Sequence, residues 1–354
     1  MHAGEFIWRP DERLSLEGVA LVSEVDQADE DSRGDGALLQ ASYTPSPDWQ
    51  HEAQFLHLGS ALDFNDLGFQ ERAGLNRGYY AASRRFRGFD QGDARAGVLW
   101  RAEFEYNAND SGQRLVPYAG IQREAQQRSG AVLSSAFWIA GAGVDDLISR
   151  GNGNVRLGAR LDELGQSWQS ARIGKWRWYG RGTLFQAGDE DYAFEAEGKL
   201  EYFAREDFNV ALRVSSLWSR DWLIWREDNL LASYRRRRGI LAADLNWFPA
   251  ASQELRVKLQ WLGIDARNAT AYRISPSGAL VESADAVPDF RVNNFGLQVR
   301  YRWTFAPQSD FYVVYGRGGL SFEDGPGGGL DDLFGSAFDL RDSDQLIVKL
   351  RYRF

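Results

Sequence analysis

Leu346-Ile347-Val348-Lys349-Leu350-Arg351-Tyr352-Arg353-Phe354 ends the 354-residue sequence. In an extended chain, Leu346, Val348, Leu350, Tyr352 and Phe354 fall on one face, and Lys349, Arg351 and Arg353 on the other. A period of two held over this length marks a strand with one apolar and one polar side.

The same alternation recurs upstream. Phe295, Leu297, Val299, Tyr301, Trp303 and Phe305 alternate with Gln298, Arg300, Arg302 and Thr304. Leu255, Val257, Leu259 and Trp261 alternate with Arg256, Lys258 and Gln260. Phe194, Ala196, Leu200 and Tyr202 alternate with Glu195, Glu197, Lys199 and Glu201, and Val98, Trp100, Phe104 and Tyr106 with Arg101, Glu103 and Glu105. Helical spacing is sustained nowhere, and no capped helix is expected. The pattern predicts about sixteen strands, the first near 13–25, two long ones near 167–187 and 228–248, and the last at 343–354.

Short turns are expected at 45–48, 204–207, 249–252 and 307–308, and longer polar loops at 26–35, 61–73, 142–151, 220–227, 266–288 and 323–342. Short turns on one side and long loops on the other are the asymmetry of an outer-membrane barrel. The expected fold is therefore an all-β, transmembrane antiparallel β-barrel, with periplasmic turns at the end where Phe354 finishes. One barrel domain is expected over 1–354, with 1–12 as a periplasmic tail.

Composition agrees. Aromatics make up 14% of the residues, Cys is absent, and 41 basic against 50 acidic residues give a net charge of −9. Aromatic richness argues against disorder. Zero Cys excludes disulfides and Cys-based zinc sites, and the acidic balance argues against nucleic acid as a partner. No apolar run reaches the roughly 18 residues of a membrane helix. Met1-His2-Ala3-Gly4-Glu5 lacks the basic and apolar regions of a signal peptide, so the sequence reads as a mature or trimmed piece. A mean hydropathy of −0.45 beside so many aromatics is what half-lipid, half-water strands produce. A membrane barrel must close its sheet, because lipid cannot satisfy backbone donors and acceptors. Its outer face needs aromatics at both interfaces, and Trp247, Phe248, Trp303 and Phe305 stand at strand ends where a girdle belongs.

Several strings carry a family resemblance. They are Asp63-Phe64-Asn65-Asp66-Leu67-Gly68-Phe69, Asn246-Trp247-Phe248-Pro249, the run Glu254 to Trp261, Arg300-Tyr301-Arg302-Trp303-Thr304-Phe305-Ala306-Pro307 and Leu340-Arg341-Asp342-Ser343-Asp344-Gln345-Leu346. The chain resembles an uncharacterised outer-membrane barrel family whose members usually carry an amino-terminal sandwich similar to family-nine carbohydrate-binding modules. The resemblance implies an outer-membrane location and no catalytic residues. The sandwich is not among these residues, so carbohydrate binding is not expected of this stretch. Phe354, with Tyr352 and Leu350 at alternate positions before it, also resembles the assembly signal of bacterial outer-membrane barrels. The expected partners are a lipid bilayer with lipopolysaccharide, the barrel-assembly machinery, and a periplasmic or outer-membrane protein as a further candidate.

The first candidate functional set is the inward ladder of charge. Arg256, Lys258, Arg300, Arg302, Lys349, Arg351 and Arg353 form a basic group, and Glu103, Glu105, Glu195, Glu197 and Glu201 an acidic one. Such groups can select permeants by charge, or simply hydrate the lumen and pair with one another. Arg235-Arg236-Arg237-Arg238 can bind lipopolysaccharide phosphates, with alternation placing two inside and two outside; solvated charges beyond the bilayer are the plainer account. The loop from Glu323 to Asp332 has carboxylates and glycine but not the spacing of a calcium loop, and reads as a flexible extracellular loop. His51 and His57 share a face about 20 Å apart, too far for one metal, and Ser60 near His57 lacks a nucleophile elbow. No catalytic, cofactor or metal site is expected. The function expected first is a channel or transport conduit, its solute a saccharide or peptide. The alternatives are a plugged anchor or assembly partner and, last, an outer-membrane hydrolase.

Overall fold

The computed structural model describes residues 2–27, 30–63, 72–188, 191–325 and 327–353, with the side chains of 25–27 and 30–31 outside that description. The strands are β1 (His2–Trp8), β2 (Leu14–Gln27), β3 (Glu30–Ser46), β4 (Trp49–Leu58), β5 (Leu75–Phe86), β6 (Arg95–Ala108), β7 (Tyr118–Gln127), β8 (Val132–Ala140), β9 (Gly143–Asp145) and β10 (Val155–Leu157). They continue as β11 (Arg160–Gln169), β12 (Trp176–Gln186), β13 (Tyr192–Arg205), β14 (Phe208–Glu227), β15 (Leu230–Ala250), β16 (Gln253–Ile274), β17 (Leu280–Ser283), β18 (Phe290–Ala306), β19 (Ser309–Asp324) and β20 (Ser343–Arg351), with helix α1 (Leu330–Ala337) between the last two. Among the described residues, β9 and β10 form a pair of their own, apart from the longer strands.

The chain divides into two compact units. One holds residues 1–128, 134–164 and 274–281, the other 129–133, 165–273 and 282–354. Inside each, consecutive strands pair antiparallel, as in β2–β3, β4–β5 and β5–β6 of the first unit and β13–β14, β14–β15 and β18–β19 of the second. The short turns fall where the sequence puts them, and Gln308 takes the positive φ of 59° that the Pro307-Gln308 turn needs.

Exposure is inverted relative to a water-soluble sheet. On β6 the aromatic rings of Trp100, Phe104 and Tyr106 are exposed, Phe104 by 51%, while the Glu103 side chain between them is exposed by only 16%. On β13 and β14 the apolar Phe194, Leu200, Leu212, Val214 and Trp218 are exposed, while Ser215 and Ser219 on the other face are buried. A sheet whose apolar side is its most exposed side is built for lipid. The fold is all-β and antiparallel, of the transmembrane-barrel class. The apolar face is called outer and the charged face inner.

Helix α1 departs from the all-strand expectation. It forms inside the stretch 323–342, which the sequence suggests is an open loop. Leu333 and Ala337 are buried against Trp261 and Phe295 of the outer face, with Leu241, Leu259 and Leu297 beside them. Asn293 explains the docking. Its side chain points to the apolar side and is almost fully buried; it accepts from the Trp261 Nε1 at 2.9 Å and donates to the Leu333 carbonyl at 2.7 Å and the Ser336 hydroxyl at 3.1 Å. Facing lipid, that amide would lack partners at a cost of several kcal/mol; α1 supplies them. The helix escapes a search for periodicity because it is eight residues long.

Other expectations also need correction. Residues 1–12 are not a plain tail: His2–Trp8 forms β1 in register with β2 from His2↔Val22 to Trp8↔Leu16. The expected loops 26–35 and 220–227 are largely strand, because the β2–β3 hairpin runs on to Gln27↔Glu30 and β14 runs to Glu227. The expected long strand 167–187 is split between β11 and β12. The β14–β15 hairpin extends because the polar residues of 220–227 alternate with Trp222 and Ile224, which pack against the cluster of Tyr234, Phe290 and Ala266. Most of Asp63 to Phe69, and Phe354 of the assembly signal, lie outside the described residues.

Candidate functional site

The inner face of the first unit is organised around Arg101. Register places Ser83 beside Arg101, and Ala81 between Glu52 and Glu103. The Ala81 side chain ends at Cβ, so the guanidinium can reach across it. Arg101 donates to Glu52 at 2.8 Å, to Glu103 at 2.7 Å, to the Tyr79 hydroxyl at 2.9 Å and to the Ser83 hydroxyl at 3.3 Å. The Tyr79 hydroxyl in turn donates to Glu103 at 2.8 Å, and Asn107 donates to Glu105 at 2.7 Å. Such charge-assisted bonds are about twice as strong as neutral ones, and every carboxylate in the group has a donor.

In the second unit the acidic residues stand among cations. Glu201 accepts from Arg177 at 2.5 Å and Lys199 at 3.0 Å, and Glu197 pairs with Arg213 at 3.3 Å. Glu195 takes Arg238 at 2.6 Å and the Ser215 hydroxyl at 2.7 Å. The basic ladder is likewise interrupted. Arg256 and Arg300 stand opposite each other in register, a like-charge pair that costs stability unless screened. Glu254, buried between them, pairs with Arg256 and lies 3.6 Å from Arg300. Arg302 meets Asp310 at 3.0 Å, and Thr304 donates to the same carboxylate at 2.7 Å. Lys258 stands opposite Gln298, Lys349 opposite Tyr312, and Arg351 opposite Asp310, while the Arg353 amide donates to the Ser309 hydroxyl at 3.2 Å. The inner faces are therefore local mosaics of charge, not walls of one sign. Glu52, Arg101, Glu254 and Asp310 complete these networks, and their place in the alternation is the signal that finds them.

Toward the far end of β14–β16 the inner face changes character. Bulges at Ser219/Trp222 and Ser233/Arg235 re-aim the strands. Of the four consecutive arginines, Arg235 and Arg237 are exposed and Arg236 and Arg238 half-buried, an alternating arrangement. Arg236 lies 4.4 Å from the Trp222 ring, and Arg226 lies 5.4 Å from Phe290 and 6.0 Å from Tyr234. Tyr234 meets Phe290 edge-on at 5.0 Å, and Phe290 stacks on Phe322 at 5.4 Å.

At the opposite strand ends, Trp303, Phe305 and Tyr352 form a chain of rings at 5.6 and 6.3 Å. Phe248 is exposed and Trp247 half-buried near the β15–β16 turn; Leu350 and Tyr352 are exposed. His51 bonds the Tyr80 hydroxyl at 2.9 Å and stacks on Trp49. His57 meets Asn76 at 2.7 Å and Asp35 at 3.2 Å, whereas the Ser60 amide donates to Asp110; His57 and Ser60 are engaged with different partners. In the loop after β17, Arg273 and Ser283 hold the Asp285 carboxyl below its usual range. Among the described residues no group of three or more His, Asp or Glu side chains is placed to hold a metal ion.

No family model and no curated protein matches the chain. Among solved structures, the siderophore receptor PirA from Pseudomonas aeruginosa aligns at 10% identity and TM-score 0.47, covering 90% of this chain and 67% of the receptor. A loop L8 deletion mutant of OmpT, an outer membrane protein of Vibrio cholerae, aligns at 11% identity and TM-score 0.32, covering 90% and 94%. Neither likeness says what this chain does.

Proposed function

We propose that the protein is a channel or transport conduit of the bacterial outer membrane, with solute moving along the charged inner faces. The observation that supports this is the dense, half-exposed polar lining opposite an exposed apolar face. A lining of paired acids and bases stays hydrated, and it discriminates permeants by charge through whichever partner is free to turn toward them. Lipid and lipopolysaccharide are the partners of the outer face, the barrel-assembly machinery acts on the carboxyl-terminal strand, and no catalytic role is assigned. Purified protein in planar bilayers should conduct, and Arg302→Glu should shift the reversal potential toward cation preference. A barrel that conducts nothing would sink the reading.

The second reading is an anchor or assembly partner with a closed lumen. It is favoured by β1 and β20, whose residues are exposed on both faces; apolar residues bare on both sides, such as Phe6, Ile7, Leu346 and Ile347, leave surface for a partner to cover. Silent bilayers together with a co-purifying protein would support it.

A further inference from the structure

The inner-face arginines Arg101, Arg177, Arg213, Arg238 and Arg302 each meet a carboxylate. Arg226 and Arg236 differ. Among the described residues no carboxylate stands within ion-pair distance of either, and each lies against aromatic rings instead. The Nε of Arg236 is buried without a hydrogen-bond partner. Between the two arginines, Tyr234 and Phe290 are packed into the wall, and Phe322, stacked on Phe290, leaves 57% of its surface free.

We propose that Arg226, Arg236 and Phe322 form a binding site for an organic anion with a flat apolar body, of the aromatic-carboxylate class. The chemistry divides between them. Two guanidinium groups with no carboxylate in ion-pair reach among the described residues offer several donors in a planar fork that suits a carboxylate. The free face of Phe322 offers stacking area to the apolar body. Trp222 and Phe290 hold the arginines by cation–π contact, which fixes their position without neutralising them. A purely structural pair would be satisfied by a nearby acid, as Arg238 is by Glu195. The site rests on the conduit reading and names the class of solute it would favour.

The test is equilibrium dialysis of radiolabelled naphthoate against the detergent-folded protein, with naphthylmethanol as the neutral analogue. Naphthoate should bind saturably, and naphthylmethanol more weakly. Arg236→Gln and Phe322→Ala should each weaken naphthoate about tenfold, the size expected for loss of one charge or stacking contact of about 1–2 kcal/mol. Arg236→Lys should restore part of the loss. Phe322 is exposed, so its variant tests the site with the wall intact, and heat-modifiable gel migration checks that each variant is folded. Absence of saturable binding, equal binding of naphthoate by the wild type and both variants, or equal affinity for naphthylmethanol overturns the proposal. A protein that binds naphthoate yet conducts nothing defeats the conduit and leaves the site standing; a conducting protein with no saturable binding does the reverse.

Discussion

Arg101 in the first unit and Arg236 in the second obey the same rule in the sequence, each a cation at an inward position of an alternating strand. Their surroundings differ. Arg101 is enclosed by Glu52, Glu103, Tyr79 and Ser83, whereas Arg236 lies over Trp222 with no carboxylate within ion-pair distance among the described residues. The first arrangement spends its charge on neighbours and rigidifies three strands. The second keeps its charge available. Alternation decides which face a residue occupies; cross-strand register decides whether it serves as structure or as a site.

The largest effect expected comes from breaking the enclosed group. Arg101→Leu leaves Glu52 and Glu103 facing each other across Ala81 without a cation, and should cost about 2–4 kcal/mol, toward the loss seen when one partner of a buried pair is removed. Arg236→Leu strands no carboxylate and should change stability by less than about 1 kcal/mol. Both are measured as shifts of the urea midpoint for unfolding in detergent. Equal losses in the two variants would erase the distinction between the regions.

The outer face provides a sharper version of the same contrast, with polarity where lipid belongs. Asn293→Leu removes the acceptor for Trp261 Nε1 and a donor to the Leu333 carbonyl. A loss of about 1–3 kcal/mol follows from leaving buried polar groups unsatisfied. It should be accompanied by faster protease cleavage within 325–342, since α1 loses its tie to the sheet. Unchanged cleavage would mean the apolar contacts of Leu333 and Ala337 hold the helix without Asn293.

Within the mosaic, Glu195→Gln should cost less, about 0.5–1.5 kcal/mol, because Arg238 is half-exposed and remains hydrated. Its effect belongs to selectivity. Freed Arg238 adds a cation beside Arg236, and the current should shift toward anions at low salt, where screening is weakest. An unchanged reversal potential would place Glu195 away from the permeation path.

How far the sequence carries depends on the kind of interaction. Strand faces are legible because period two is a property of neighbours along the chain, so Phe104 outward and Glu103 inward follow from a short window. The partners are not legible. That Glu52 meets Arg101 requires the register Glu52↔Ala81↔Glu103 across three strands, which no local pattern states. The stretch 220–227 reads as a loop because Arg220, Asp221 and Arg226 look like polar breakers, while a bulge lets Trp222 pack inward and β14 runs on. The short helix was invisible for a related reason: eight residues carry little periodicity, and its stability comes from docking on Trp261, Phe295 and Asn293.

The smallest effect isolates what enclosure adds. Asp93 and Arg95 repeat the two-residue spacing of Arg101 and Glu103, but where the turn after β5 runs into the start of β6, partly open to water. Arg95 donates to the Asp93 carboxylate through Nη2 at 2.6 Å, through Nε at 3.0 and 3.1 Å, and through its backbone amide at 2.8 Å. These bonds, the Arg95 side chain first, lower the Asp93 carboxyl from 3.8 to about 2. A carboxyl depressed in the folded state binds fewer protons there than in the unfolded chain, so it stabilises the fold above its ordinary value. That contribution fades as pH falls from 3.8 through about 2. Asp93→Asn should therefore flatten stability across that window and remove the same contribution at neutral pH, an amount kept small because solvent screens a surface pair. Carboxyl carbon shifts of Asp93 followed by NMR give the midpoint directly. A midpoint at the ordinary aspartate value would show that spacing alone, without the enclosure that surrounds Arg101, does not hold the pair together.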